Sequence, residues 1–139
     1  MDLYIANGAN DAGKSHVING LIHYNRRHVA SDLNGNYREV QLYLKDADNR
    51  VYGGLLGEIC WNWLEIKILF VDESVRKSGY GTKLLQEAEK LAKENKCEFI
   101  KLDTLSFQAL DFYKRHGFEV FGTIENAARH THYYLKKDL

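Results

Sequence analysis

The segment of the chain with the clearest capacity for chemistry is a basic loop that contains two glycines, Arg76–Thr82. Gly79 and Gly81 let the backbone turn tightly and keep side chains out of the way. An amphipathic pattern follows the loop, so the free N–H groups of the first helical turn would point at one spot where the helix dipole favours an anion. Arg76 and Lys77 add positive charge there, and the loop also contains Ser78, Tyr80 and Thr82. This pattern is typical of a pyrophosphate site, although a solvated glycine-rich turn has the same composition.

A second segment, Gly8–Ser15, has the spacing of a Walker A phosphate loop, with glycines at 8 and 13 followed by Lys14 and Ser15. The segment follows a short apolar stretch and precedes a helical pattern, which is the context that such a loop needs. A phosphate-loop nucleotidase also needs a doubly wound parallel sheet, whereas the next two predicted strands form an antiparallel hairpin. A nucleotide-binding module that uses Gly8–Ser15 is therefore the alternative hypothesis.

Hydrophobic periodicity places these loops among strands and helices. It predicts a first strand at Leu3–Ala6 and then a helix that Asp11 could cap and that ends before Asn34-Gly35-Asn36. The other predicted strands are Glu39–Lys45, Val51–Asn62, Trp63–Val71, Phe99–Leu102, Phe118–Ile124 and His132–Lys136. Two further helices are predicted over Tyr80–Asn95 and Phe107–His116, and Gly117 is a candidate C-cap for the second.

The order of these elements predicts the fold class. An antiparallel hairpin is followed by two strand–helix–strand passages, which indicates an α/β fold with a mixed, partly parallel sheet flanked by helices. With 139 residues, we expect one domain over 1–139.

Composition excludes several classes of protein. Lysine plus arginine number 19 and aspartate plus glutamate number 19, so the net charge is zero. A nucleic-acid binder or a polybasic membrane-surface protein would carry a basic excess. No apolar run is long enough to span a bilayer, and two cysteines make no disulfide framework. We therefore expect a cytoplasmic protein with no nucleic-acid or membrane partner, and a homodimer remains open.

Two motifs, which follow one another along the chain, resemble those of a known protein family. Arg76-x-x-Gly79-x-Gly81 after a strand ending in Leu-Phe-Val resembles the central motif of the GNAT N-acetyltransferases. The segment from Ser106 to Phe118 is similar to that family's later motif, Asn-x-x-Ala-x-x-Leu/Phe-Tyr-x-x-x-Gly-Phe. The chain departs from the pattern at Glu73, where proline is common, and at Ser106, which replaces the asparagine. The resemblance covers residues 39–139, more loosely the first strand and helix, and implies a GNAT-like splayed sheet.

The resemblance implies direct acetyl transfer from acetyl-CoA to a small-molecule or peptide amine acceptor. The cofactor's pyrophosphate would bind Arg76–Thr82, and its pantetheine arm would pair with backbone groups at Phe70 and Val71. Ser106 could cap the later helix, although the cofactor contact made by the family's asparagine is in doubt there. Tyr113 matches the residue that protonates the leaving thiolate, although an aromatic residue on a short helix also suits a core.

Glu65 lies eleven residues before Arg76, where some family members carry a glutamate base, and Glu58 is a weaker rival. A solvated strand glutamate paired with lysine is the competing interpretation for Glu65. His130 and His132 would share one strand face, but no further ligand completes a metal site, so we predict none. The alternative function is a nucleotide-binding or non-catalytic acyl-CoA-binding module that uses Gly8–Ser15.

Overall fold

The computed structural model describes residues 1–139, which form two compact units, Met1–Asn34 and Gly35–Leu139. The single domain predicted over 1–139 stays a prediction. In the first unit, α1 spans Asp11–Arg26, and its N-cap is Asn10 rather than the predicted Asp11. None of the side chains of α1 is buried.

The predicted first strand at Leu3–Ala6 is wrong. These residues form no strand and lie exposed, because no other strand offers their backbone a ladder. The helix that follows also ends earlier than predicted, at Arg26. The Asn34 side-chain amide donates to the carbonyls of Arg26 and Val29, at 3.0 and 3.3 Å, which ties down the turn after the helix.

The second unit contains the sheet and two helices. Its strands are β1 (Tyr37–Lys45), β2 (Val51–Cys60), β3 (Trp63–Val71), β4 (Phe99–Leu105), β5 (Glu119–Ala127) and β6 (His130–Asp138). Its helices are α2 (Tyr80–Glu94) and α3 (Leu110–Arg115), and a short 3-10 turn spans Glu73–Val75. None of the three helices of the chain is long and apolar enough to cross a membrane.

The six strands form one mixed sheet in the order β1-β2-β3-β4-β6-β5, which confirms the predicted α/β class. The hairpin β1–β2 and the pair β2–β3 are antiparallel, and β3–β4 is the parallel pair joined through α2. The second strand–helix–strand passage differs from the simple expectation, because β6 inserts between β4 and β5.

The core lies where α2 packs across β1–β4. Alternate residues of the strands supply the sheet side, and one stripe of α2 supplies the other, as the helical period requires. The α2 members are Leu84, Leu85, Ala88 and Ala92. The buried strand members are Val40, Leu55, Ile59, Leu64, Ile66, Ile100, Leu102 and Leu135.

A bulge in β3 opens the sheet. Gly57 of β2 pairs with Ile66, whereas Leu56 pairs with Ile68, so Lys67 is an extra residue that bends the strand. The parallel pairing of β3 with β4 ends at the same place, with Ile66 opposite Leu102. Beyond that point β3 continues to Val71 and β4 to Leu105 without pairing to each other, so the two strands diverge.

Gly57 permits the close approach of β2 to β3 at this bulge. A Cβ at Gly57 would overlap the backbone carbonyl oxygen of Glu65, which has no freedom to move away. We expect Gly57→Ala to lower the free energy of unfolding by about 1–3 kcal/mol, the usual cost of overpacking.

Urea denaturation measures this change. Gly122→Ala on β5 is the matched control, because its Cβ would meet only the Tyr134 side chain, at 3.9 Å or more, which is an ordinary contact. We expect the control to change stability by less than about 0.5 kcal/mol. Equal stabilities for the two variants would contradict this account of the bulge.

Candidate active site

The divergence of β3 and β4 creates a cleft of about 850 Å³ in the second unit. This lies within the range of small-molecule sites, roughly 300–1,000 Å³. Its walls are the second half of β3, the loop and first turn of α2, the end of β4, and α3. The predicted site residues that line it are Phe70, Val71, Arg76, Lys77, Gly79, Tyr80, Gly81, Thr82 and Tyr113.

The first turn of α2 presents free backbone donors to one end of this cleft. The first hydrogen bond of the helix runs from the Lys83 N–H to the Gly79 carbonyl, at 3.1 Å. The N–H groups of Tyr80, Gly81 and Thr82 therefore have no partner inside the helix. Gly79 holds a left-handed φ of 82° as the N-cap, so the chain enters the helix without a capping side chain. This arrangement suits an anion.

The charged side chains that line the cleft also favour an anionic ligand. Four basic residues line it, namely Lys67, Arg76, Lys77 and Arg115, against a single carboxylate, Asp103. Arg115 was missed by the sequence reasoning because a basic residue on a short exposed helix carries no motif of its own. A polyanionic ligand is the ligand class that this balance favours.

Arg76 does more than supply charge. Its Nε donates to the Val71 carbonyl at 2.8 Å, and its guanidinium lies 5.7 Å from the centre of the Phe70 ring. The Arg76 side chain therefore holds the loop against the end of β3. The Val71 carbonyl therefore has one partner within the protein, and the expected pairing of Val71 with a ligand stays a prediction.

Tyr113 is both a core residue and a wall of the cleft. Its side chain is 6% exposed and its ring packs edge-on against Phe118, with centroids 5.7 Å apart. Burial, and to a smaller extent the nearby carboxylate of Asp103, raise the pKa of the Tyr113 hydroxyl to about 12. The two interpretations that the sequence left open for this residue are therefore compatible.

Ser106 lies outside the cleft. Its hydroxyl accepts from the Thr131 N–H at 3.3 Å and lies 3.4 Å from His130 Nδ1, so β6 holds the side chain. The predicted helix start is also wrong, because α3 begins at Leu110 with Ala109 as its N-cap. The Gln108 side chain instead accepts from the Leu105 N–H and the Thr104 hydroxyl, at 2.7 and 3.2 Å, and so fixes the end of β4. Sequence reasoning missed Gln108.

Glu65 lies in a second, smaller pocket of about 140 Å³. Its carboxylate pairs with Lys101 Nζ at 3.5 Å across the parallel strands. Glu58 pairs with Lys67 at 3.2 Å and lines neither pocket. Asp103 lines both pockets, and the sequence offered only its alternation with Lys101 on β4 as a signal.

The Walker-like segment does not form a phosphate loop. Residues from Asp11 onward are already helical, and no strand precedes them. The Gly13 N–H donates to the Asn10 side chain at 2.9 Å, and the Lys14 N–H donates to the Asn10 carbonyl at 2.8 Å. The Gly13 donor thus caps the helix and the Lys14 donor makes its first helical bond, so the segment lacks the open phosphate loop that a nucleotide-binding module would need.

Comparisons with known proteins point to one family. Residues 18–118 match the sequence model of the Acetyltransferase (GNAT) family. The chain is 31% identical over 124 residues to the acetyltransferase Atu2258 of Agrobacterium fabrum, covering 89% of this chain and 88% of that one.

Solved structures give the same result. The crystal structure of an acetyltransferase from Bacillus cereus superposes with a TM-score of 0.91 at 37% identity, covering 99% of this chain and 98% of that chain. A GNAT family acetyltransferase from Elizabethkingia anophelis with acetyl-CoA bound shares the fold, with a TM-score of 0.59 at 20% identity over 68% of this chain and 72% of that one.

The raised pKa of Tyr113 makes stability depend on pH. An unfolded tyrosine ionises near its ordinary value of 10.0, whereas the folded protein keeps Tyr113 protonated until about 12. The free energy of unfolding should therefore fall between pH 10 and 12, with about 2–3 kcal/mol of that fall due to Tyr113.

We expect Tyr113→Phe to remove this part of the fall in denaturant titrations across that pH range. Cys97, whose pKa is raised to about 11 by burial, contributes to both proteins and cancels in the difference. Tyr43→Phe, at an exposed position, is the control and should retain the wild-type pH dependence. Parallel curves for Tyr113→Phe and wild type would show that burial does not perturb this hydroxyl.

Proposed function

The chain belongs to the Acetyltransferase (GNAT) family, and on that premise we propose that it transfers the acetyl group of acetyl-CoA to the nitrogen of a primary amine. One observation carries the proposal. The cleft is lined by the start of α2, whose first N–H groups have no partner inside the helix, by basic residues, and by Tyr113.

The residues of the cleft fit this cosubstrate, which supplies an activated acetyl thioester. Its pyrophosphate needs several donors and positive charge at one point, and the Tyr80, Gly81 and Thr82 N–H groups beside Lys77 provide them. The Thr82 hydroxyl lies 3.0 Å from His116 Nε2, which fixes that side chain at the helix start. Arg115 offers a further cation in the lining of the cleft.

The open edge of β3 supports the pantetheine arm. That arm carries amide groups spaced like those of a strand, and β3 from Lys67 to Val71 has no strand paired on the β4 side. The Phe70 carbonyl faces β2, beside Gly53, and the Val71 carbonyl already accepts from Arg76 Nε, so the pairing would use the other groups of this edge, with the Val71 N–H among them. Backbone N–H groups there would also stabilise the negative charge that the thioester carbonyl gains during attack.

Tyr113 is proposed as the acid that protonates the leaving thiolate. With a pKa of about 12 it holds its proton at neutral pH. A thiol has a reference pKa of about 8.5, so full transfer to a free thiolate is uphill by roughly 5 kcal/mol. The proton must therefore move as the carbon–sulfur bond breaks, when the sulfur is becoming more basic.

Glu65 is proposed as the group that receives the proton of the acceptor amine through water. Its carboxylate lies in the second pocket, beside the point where β3 and β4 separate, and Lys101 holds it in place. Isothermal titration of the protein with acetyl-CoA, followed by thiol release with a panel of amines, tests the function as a whole. Absence of acetyl-CoA binding would overturn it.

We expect Gly79→Val to weaken acetyl-CoA binding by at least about tenfold, a loss of ~1.4 kcal/mol. A branched side chain at this position would lie where the pyrophosphate must approach the helix. Gly35→Val is the matched control, because Gly35 has a similar φ of 79° and equally open surroundings but lies outside the cleft. Both variants carry the same backbone strain, so calorimetry that shows equal affinities would mean that the pyrophosphate binds elsewhere.

Tyr113→Phe should lower the rate of the chemical step by about a hundredfold, the usual contribution of a general acid. The ring and its packing stay, so acetyl-CoA affinity should remain near that of wild type. Single-turnover kinetics measures the chemical step apart from product release. If the variant retains the full single-turnover rate, the hydroxyl has no part in proton transfer.

A further inference from the structure

Asp103 is the one charged residue shared by the two cavities of the second unit. It is the only carboxylate that lines the large cleft, where the other charged residues are basic, and it also lines the small pocket. The acetyl donor and the amine acceptor must meet within bonding distance, so an acceptor held in the small pocket has to pass Asp103. Its carboxylate charge also contributes to the raised pKa of Tyr113, which places the two groups near each other.

The fold presents the Asp103 side chain at this junction. Asp103 comes directly after Leu102, the last residue of β4 that pairs with β3. Leu102 is buried, and strand alternation puts Asp103 on the opposite face, beside Lys101 two residues before it. The side chain is 59% exposed, so it can reach a ligand without first breaking a buried contact.

His132 holds this carboxylate from the neighbouring strand. Its Nε2 lies 3.0 Å from an Asp103 carboxylate oxygen, while its Nδ1 lies 3.4 Å from the Tyr134 hydroxyl. The His132 and Tyr134 rings pack with their centroids 4.6 Å apart. His132 is therefore fixed by Tyr134 on one side and orients Asp103 on the other.

Resting on the proposed acetyltransferase function, we propose that the small pocket is the acceptor subsite and that Asp103, oriented by His132, binds the ammonium group of an aliphatic primary amine. Glu65 is neutralised by Lys101, whereas His132 is charged only when protonated, so Asp103 supplies the negative charge of the pocket. Asp103 is thus the residue that selects a cationic acceptor, and His132 is a positioning residue.

The size and the walls of the pocket define the acceptor further. A volume of about 140 Å³ takes an aminomethyl end but not a bulky ring system. Phe121 and Tyr134 form an aromatic side, which suits the methylene groups and the charge of an alkylammonium ion. An uncharged arylamine offers neither the charge nor the slender shape.

The test uses putrescine as the cationic probe and aniline as the uncharged one. Putrescine should bind the protein loaded with CoA, as measured by calorimetry, and aniline should not. In Asp103→Asn the Kd and KM for putrescine should rise by about tenfold or more, as expected when a charged hydrogen-bond partner is lost, whereas acetyl-CoA affinity should not weaken. Asp103→Glu should recover part of the loss, because it restores the charge.

Three further variants test whether the charge of Asp103 and its orientation by His132 determine putrescine binding. Asp138→Asn is the matched control, because Asp138 lies at the other end of the β4–β6 pair and lines neither cavity. Its putrescine affinity should equal that of wild type. His132→Gln, which retains a hydrogen-bonding side chain, should keep more putrescine affinity than His132→Ala, because a side-chain amide can still orient Asp103.

The outcomes distinguish this inference from the proposed function. If the wild-type protein binds no acetyl-CoA, the proposed function itself fails. If acetyl-CoA binds, the inference alone fails under any of three results: the CoA-loaded protein binds no putrescine, aniline binds as well as putrescine, or Asp103→Asn leaves the putrescine Kd unchanged.

Discussion

Backbone hydrogen bonding between β3 and β4 stops after Ile66 and Leu102, and the cleft exists because it stops there. Up to that point the parallel strands pair in register, and beyond it each is paired only on its outer side, β3 to β2 and β4 to β6. The bulge at Lys67 starts the divergence, and Gly57 lets the neighbouring strand follow the bend. The loop, helix start and α3 then surround a gap that the sheet has already opened.

Tyr113 shows how one position can serve both stability and the proposed chemistry. Its ring is part of the hydrophobic core beside Phe118, while the residue also lines the cleft. A core position fixes the hydroxyl without using a flexible loop, which is what a proton donor requires. The same burial makes the phenol a weaker acid, since the charged form loses its solvent. Precise placement and weaker acidity are thus two results of a single packing arrangement.

Local signals in the sequence predicted most elements of the second unit, because strands and α2 bury one face each and so carry a clear period. The boundaries of β3 were predicted correctly for that reason, and α2 was predicted to within one residue. The strand expected at Leu3–Ala6 failed because an apolar run says nothing about whether a partner strand is present. The hairpin turn at Ala128 and Arg129 was also missed, since both residues have positive φ without the usual Asn-Gly signal.

The residues of the candidate site also differ in whether local sequence signals could predict them. The loop proposed to bind the anion could be predicted, because glycine and basic residues at a helix start act locally. Asp103 could not, since its importance comes from the register of β4 against both β3 and β6, which is a long-range property. Ser106 is a motif position that lies outside the cleft. Its hydroxyl and its N–H instead bond to the Thr131 backbone of the neighbouring strand.

The shortness of the β3–β4 seam also bears on the mechanics of the sheet. Four residue pairs join a three-stranded half, β1-β2-β3, to the other half, β4-β6-β5, and α2 spans the join on one face. A ligand that pairs with the open edge of β3 and also contacts α3 bridges both halves and continues the sheet where the protein leaves it unfinished. Such a ligand would extend the hydrogen bonding of the sheet only while it is bound. Its binding free energy is then added to the cohesion between the halves, so the molecule should be stiffer when loaded than when empty.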